Sequence, residues 1–401
     1  MQLLRRLWRS REERFAWAVL RAVRATGRVA HARYDPQAFA IRFHRDADDA
    51  GGWIYLHSSF RECAGMGRAD RARRISALVA AVTSSSTGRL GWADVAPRLR
   101  PVLRGAGFGQ SSHAETGPLL SRPALPYLVE LVVVDEPTSM AYVLDSQVQE
   151  WGVEPAEVFA TARTNLRALA DGLIDRPAAD GNVVLRLVDT GDAYFTSMVL
   201  LDGFLASLGE LVGGRPVAFI HDRDNLTVMA DDPVGLAGML ELVERHYTDA
   251  ARSLSPVAYT CDDRGTVVPY VAAEPGPLAD RVHRAQVVLA AAEYQSQKEA
   301  LDAQYEREGR DVFVGSLIVA ERPDGTLFSV AVWTDYCVTL LPQADLVCFQ
   351  STGDAVMVPW PAVARMAGLR PEPDLVPDRF LVRTWPDKAT LDHLRAEAVS
   401  L

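Results

Sequence analysis

The chain is expected to be an α+β protein, with mostly antiparallel sheets built from sequential β-hairpins, covered by helices and gathered in two or three lobes. Three observations predict this. Strand-like runs come in pairs across short loops of turn-forming residues, whereas a parallel pair needs a crossover of a dozen residues or more. Between the pairs lie helical stretches with one apolar face. Finally, 401 residues at 48% hydrophobic and 23% charged content is ordinary globular composition, too long for one core.

Taken in order, residues 2–26 read as a basic amphipathic helix. Leu3, Leu4, Leu7, Trp8, Phe15, Val19 and Val23 are interleaved with Arg5, Arg6, Arg9, Arg11, Arg14, Arg21 and Arg24. Such a helix packs on its own lobe or lies on a membrane surface. Ala38–His44 and Trp53–His57 flank an acidic, glycine-containing turn and form a hairpin across which His44 and His57 could face each other. A metal site there would lack a third ligand. A helix over 69–82 follows, and Gly107-Phe-Gly109 in the next polar loop is no phosphate loop, since neither a lysine nor a helix start follows it.

Tyr127–Val134 and Met140–Leu144 make a second hairpin. Pro155 then opens a helix with Val158, Phe159, Ala162, Leu166 and Leu169 on one face and Asn165 at its edge, as a structural hydrogen bond or a ligand contact. The stretch 182–232 organises the middle of the chain. A strand over 182–188 is broken by Asp189-Thr-Gly-Asp192, and from Ala193 to Val212 apolar residues surround nearly the whole circumference. That pattern predicts a helix buried between layers and ended by Gly213-Gly214. Pro216–Ile220 and Leu226–Ala230 form a hairpin around His221-Asp-Arg-Asp-Asn225. Asp232-Pro233 caps and opens another helix.

A fourth hairpin spans 256–270. Pro275-Gly-Pro277 breaks the chain, and a helix of about thirty residues, roughly 45 Å long, runs to Gly309. The remainder alternates strands (Val312–Ala320, Leu327–Trp333, Val338–Leu341, Leu346–Gln350) with short helices at Trp360–Ala367 and Ala389–Val399. The expected lobes are therefore a basic N-terminal α/β lobe (1–125), a central α+β domain (126–275), and the long helix with a C-terminal β-rich domain (276–401).

Charge divides the same way. The first 125 residues hold 21 arginines, no lysine and 10 acidic residues, while the whole chain has a net charge of −10. The basic lobe either docks on the acidic remainder or meets an anionic partner such as nucleic acid, lipid head groups or an acidic protein. Cys63, Cys261, Cys337 and Cys348 are scattered without a Cys-x-x-Cys pair, which predicts buried thiols rather than zinc or disulfides. No apolar run reaches membrane-span length, and Arg21 ends the early run Phe15–Leu20 without a cleavage site. Both point to the cytoplasm.

Catalytic signatures are missing: no Gly-x-Ser-x-Gly elbow, His-Glu-x-x-His pair, Walker loop or dinucleotide fingerprint occurs, and no cofactor is expected. The polar constellation with most chemical potential is the hairpin tip. His221, Asp222 and Asp224, with Asp192 nearby in sequence, are the candidate catalytic residues, since carboxylates beside an imidazole can ligate metal or move protons. Arg223 and Asn165 are the candidate binding residues. Turn propensity accounts for the same residue types without any chemistry. A second group, Trp333, Asp335, Tyr336 and Cys337, is explained as well by sheet packing.

Several of these stretches together resemble the YtpQ-type family. They are Arg98-Leu-Arg-Pro-Val-Leu-Arg104, Trp151 before a proline-opened helix with Ala162-x-x-Asn165-Leu166, Asp189-x-Gly-Asp192 before an apolar segment, and Pro216 leading into the hairpin with His221 and Asp224. The likeness covers residues 30–272, with everything after Pro277 an addition. It implies a bacterial, cytoplasmic protein and brings no catalytic residue to this chain. The expected function is a non-enzymatic binding or adaptor protein. The alternatives are a metal-assisted or acid–base hydrolase using the His221–Asp224 tip, and an anion-binding role for the basic lobe.

Overall fold

The computed structural model describes residues 10–36, 39–44, 52–84, 90–110, 117–136, 139–171, 184–189, 194–351 and 354–399. Within them the chain is α+β, with mostly antiparallel sheets and helices packed against them.

The N-terminal lobe is one helix-covered sheet. The helix Arg11–Ala25 begins at Ser10, whose hydroxyl accepts from the Glu13 amide at 3.0 Å and satisfies a donor the first turn leaves open; residues 2–9 of the expected helix lie outside the described residues. β1 (His31–Asp35), β2 (Ala40–His44) and β3 (Gly52–Tyr55) pair antiparallel. Phe15, Val19, Leu20 and Val23 meet Ile41, Phe43, Ile54 and Val79, from the helix Arg68–Ser84, in a core separate from the rest.

β4 (Leu99–Gly105), β5 (Ser121–Leu125) and β7 (Ser139–Tyr142) all pair antiparallel with β6 (Leu128–Glu136). The expected division at residue 126 therefore falls inside a continuous sheet. The hydrogen-bonded ladder joins both sides of it. Against this sheet packs the helix Pro155–Ala170, burying Val158, Phe159, Ala162 and Leu166.

The central sheet runs β12-β11-β9-β10-β8. Its strands are β8 (Leu185–Val188), β9 (Pro216–Asp222), β10 (Asn225–Ala230), β11 (Ala258–Cys261) and β12 (Val267–Pro269). The β9–β10 hairpin forms as expected, its strands reaching further so that Arg223 and Asp224 alone make the turn. The single helix expected over 193–212 does not form. A 3-10 turn, Phe195–Leu200, is followed by two one-turn helices, Phe204–Ser207 and Gly209–Val212. Tyr194 (φ 53°) and Gly203 (φ 80°) take the left-handed conformation, which a right-handed helix excludes. Burial itself holds: Met198, Val199, Leu201, Phe204, Leu205, Leu208 and Val212 are core. All-round apolarity reported an interior segment, not a helical period.

The helix Pro277–Glu308 is 32 residues long, about 48 Å. It buries Val282, Ala285 and Leu289 in the central core and Leu301 and Tyr305 against the C-terminal strands. There β13 (Phe313–Val314), β16 (Thr339–Pro342) and β19 (Arg379–Val382) form one sheet. β14 (Ile318–Glu321), β15 (Leu327–Thr334), β17 (Leu346–Ser351) and β18 (Asp354–Pro359) form another. Here β14–β15 and β17–β18 are sequential antiparallel hairpins as expected, but β15 also pairs parallel with β17 and β13 with β16. The chain between β15 and β17 crosses to the other sheet as β16, which supplies the length a parallel return needs. Arg379 locks helix to sheet. Fully buried, it donates to Gln297 Oε1 (2.6 Å) and to the carbonyls of Gly315 (2.7 Å), Leu340 (3.1 Å) and Tyr294 (3.1 Å).

No helix among the described residues is long and apolar enough to cross a membrane.

Candidate functional site: a cleft beside the long helix

The hairpin tip, where sequence reasoning placed the chemistry, is mostly an internal joint. Asp222 accepts from the Asp224 amide (2.8 Å) and from Asn225 Nδ2 (2.8 and 2.7 Å), as an acidic residue does when it closes its own turn. Asp224 Oδ2 pairs with Arg252 Nη2 at 2.6 Å, and Arg252 Nε reaches Glu62 Oε1 at 3.0 Å. The chain of charges thus ties the central sheet to the N-terminal lobe, beside a bond from Arg61 to the Thr248 carbonyl. Burial raises the Asp224 carboxyl above its usual range.

His221 is buried, its Nε2 3.3 Å from Asp222 Oδ2 and its ring 5.3 Å from that of His246. Burial holds the imidazole below its ordinary pKa and outweighs Asp222. Among the described residues no three His, Cys, Asp or Glu side chains converge to hold a metal ion. Asp192 lies outside the described residues. Asn165 does not join the tip: its Nδ2 clamps the carbonyls of Ala96 (2.7 Å) and Leu99 (3.0 Å).

The other sequence candidates are scaffold too. Trp333 is packed among Phe349 and Trp385, Asp335 and Tyr336 are exposed, and Cys337 Sγ contacts Thr334 and Thr339 hydroxyls. His44 stands opposite His31, not His57. The β2–β3 register puts Phe43 against Gly52 and Ala40 against Tyr55, so His57 falls past the far end of the ladder, and its side chain lies outside the described residues.

Polar groups converge instead in a cleft of about 320 Å³ between the central sheet, the long helix and the C-terminal sheet. Its walls are mainly apolar, from Pro126, Val257, Pro269, Val287, Leu289 and Ala290. On one side sits a triad centred on a carboxylate. Ser329 donates from N (2.7 Å) and Oγ (2.8 Å) to Asp345 Oδ2, the Asp345 amide returns a bond to Ser329 Oγ (2.9 Å), and His283 Nε2 lies 3.3 Å from the same Oδ2. The bond to Asp345 keeps His283 above its usual pKa despite burial. Burial alone would raise Asp345, but His283 and the Ser329 donors outweigh it and hold the carboxyl below its usual range.

Across the cleft, Tyr127 sits in the two-residue link between β5 and β6 with φ 66°. A turn position with φ > 0 ordinarily takes glycine, so a tyrosine held there carries backbone strain. Its ring meets Tyr294 edge-on at 5.8 Å, and burial, then Asp345 and Asp378, push the phenol up to about 12. Among the described residues its hydroxyl has no hydrogen-bond partner, and the amides of Gln286 and Gln343 also line the space. The chemistry this permits is recognition. Ser329 gives its proton to an acidic carboxylate rather than to His283, so nothing here activates it as a nucleophile.

Sequence reasoning missed these residues because they come from four distant segments. One signal was available: His283, Gln286, Val287 and Ala290 recur at helical spacing on one face of the long helix, a polar pair on an otherwise apolar stripe.

Compared with protein-family models, with curated proteins and with solved structures, the chain returns no match.

Proposed function

We propose that the chain is a non-catalytic binding protein and that the cleft beside the long helix takes a small, uncharged ligand bearing hydrogen-bond donors and acceptors. One observation carries this reading. The cleft's own charges cancel in the His283–Asp345 pair, leaving apolar walls with a neutral phenol and two amides to orient a guest. A bacterial, cytoplasmic setting belongs to the same proposal, supported by the resemblance of residues 30–272 to the YtpQ-type family and by four free cysteines. The hydrolase alternative is not favoured, because the tip carboxylates are engaged in the turn and the inter-lobe ion pairs.

The test is ligand-observed NMR with a library of neutral heterocyclic fragments. Fragments are expected to bind the wild type and to lose most of their affinity in Tyr127→Phe and Gln286→Ala, while p-nitrophenyl acetate shows no burst. Fragment binding indifferent to both substitutions would refute the reading, as would ester turnover abolished by Ser329→Ala.

A second reading, that the basic lobe also meets nucleic acid, is favoured by one feature. The outward face of β1–β2 carries His31 and Arg33 opposite His44 and Arg42, while the lobe attaches to the rest through Arg61 and Glu62 on another element. Binding to single-stranded RNA that weakens linearly in log–log with salt is expected. No binding at low salt, or binding to anionic vesicles alone, would end it.

A further inference from the structure

Two guanidinium groups lie against one phenyl ring. The Cζ of Arg223 is 4.9 Å and that of Arg104 5.7 Å from the centre of Phe108. Arg104 is buried and has only neutral acceptors: Nε donates to the Tyr142 hydroxyl (2.8 Å), Nη1 to the Leu103 carbonyl (2.6 Å), and Nη2 faces Met140 Sδ (3.8 Å). Arg223 has less. Its Nε is sealed from solvent without a hydrogen-bond partner, and its side chain makes no hydrogen bond among the described residues.

The carboxylates around them are committed elsewhere. Asp224 holds Arg252, Asp222 closes the turn, and Glu293 Oε2 accepts from the Gly107 amide at 2.8 Å. Burial, only partly offset by Gly107 and Arg223, raises Glu293 to about 7, so it is a weak counter-charge. Burial and Arg104 lower Arg223 to about 9. The Arg223 backbone is nevertheless pinned: its amide donates to the Arg252 carbonyl (3.1 Å) and its carbonyl accepts from Thr196 Oγ1 (3.2 Å). A charged side chain is thus held by a rigid turn against the Phe108 ring, with no acceptor bonded to it among the described residues. Leaving the sealed Nε donor unpaired is costly, and buried polar groups without a partner are rare.

We propose that Arg223 and Arg104 form an anion site for a phosphoryl group. Two cations without an ion-pair partner among the described residues favour a dianion over a single carboxylate, and the guanidinium fork matches tetrahedral oxygens. Phe108 also walls a cleft of about 700 Å³, but its lining holds Asp145, Glu372, Asp374 and Asp378 and neither of the two arginines, so the site is assigned to the phosphoryl group alone. This site is separate from the neutral-ligand cleft, so either can fail alone.

The experiment is isothermal titration calorimetry of the full chain at constant ionic strength with inorganic phosphate, phenyl phosphate and acetate. Phosphate is expected to bind one to one, acetate at least tenfold more weakly. Arg223→Met is expected to weaken phosphate at least tenfold, and Arg223→Lys, which keeps the charge but not the fork, several-fold. Phenyl phosphate tighter than phosphate identifies a monoester as the ligand, and equal affinity identifies the free ion; both support the site. Absence of saturable heat with phosphate, or affinity unchanged in both Arg223 variants, overturns it.

Discussion

Arg379 is fully buried and Arg223 half-buried with its Nε sealed from solvent, and they could hardly be more differently provided for. Around Arg379, one amide oxygen and three carbonyls receive the guanidinium, and the Tyr294 ring stacks 5.1 Å from its Cζ. Around Arg223 there is a ring, and among the described residues no acceptor bonds its side chain. Burial lowers the pKa of both, to about 10 and about 9. A complete set of partners marks a joint that holds the lobes together. An incomplete set, on a backbone held rigid, marks a place prepared for something that arrives from solution. The same criterion separates Asn165, whose Nδ2 is used twice, from Tyr127, whose hydroxyl has no partner among the described residues.

The comparison can be broken at several points. The largest effect is expected at Arg379: replacing it with methionine removes a donor from four buried acceptors, of which the Leu340 carbonyl keeps the Gly315 amide, and should cost about 4 kcal/mol in denaturant unfolding. A near-neutral result would mean that the carbonyl cage is incidental. Smaller, about 1 kcal/mol, is the loss expected for Asn165→Ala, which removes one donor each from the Ala96 and Leu99 carbonyls while Ala96 keeps the Leu99 amide; a variant that kept full stability would return Asn165 to the ligand candidates.

The smallest effect sharpens the cleft. His283 is raised, so its contribution is complete below its unfolded pKa and fades as pH climbs through the folded value. Asp345 is lowered, so its contribution is complete above its unfolded pKa and fades as pH falls through the folded value. The stability difference between wild type and Asp345→Asn should therefore be greatest between about pH 4 and about pH 6.5 and shrink on either side. Both groups are partly exposed, so the amplitude is modest. A difference flat across pH 4–8 would mean the pair does not form.

Much of the fold was legible because local chemistry agreed with tertiary structure. Asp232-Pro233 opens its helix with the Asp232 carboxylate on the Gly235 amide, and Pro277 and Gly309 bound the long helix where the sequence punctuates it. The β9–β10 hairpin was equally plain. What stayed hidden depended on distant partners. Leu99–Gly105 becomes an edge strand despite Pro101, since an edge tolerates the missing amide. The parallel pairing of β15 with β17 leaves no local trace, and 195–212 announces burial without announcing its backbone. The candidate site fared worse for the same reason. His221, Asp222 and Asp224 were conspicuous because turns gather polar residues, whereas Tyr127, His283, Ser329 and Asp345 meet only after three segments have packed on the long helix.

The stability of Arg223→Met, without phosphate and then with phosphate in excess, tests the distinction between joint and site most directly. The variant should lose no more than about 1 kcal/mol, the worth of its contact with Phe108, and only the wild type should gain stability when phosphate is added. A loss as large as that expected at Arg379, or the same gain in both proteins, would contradict it.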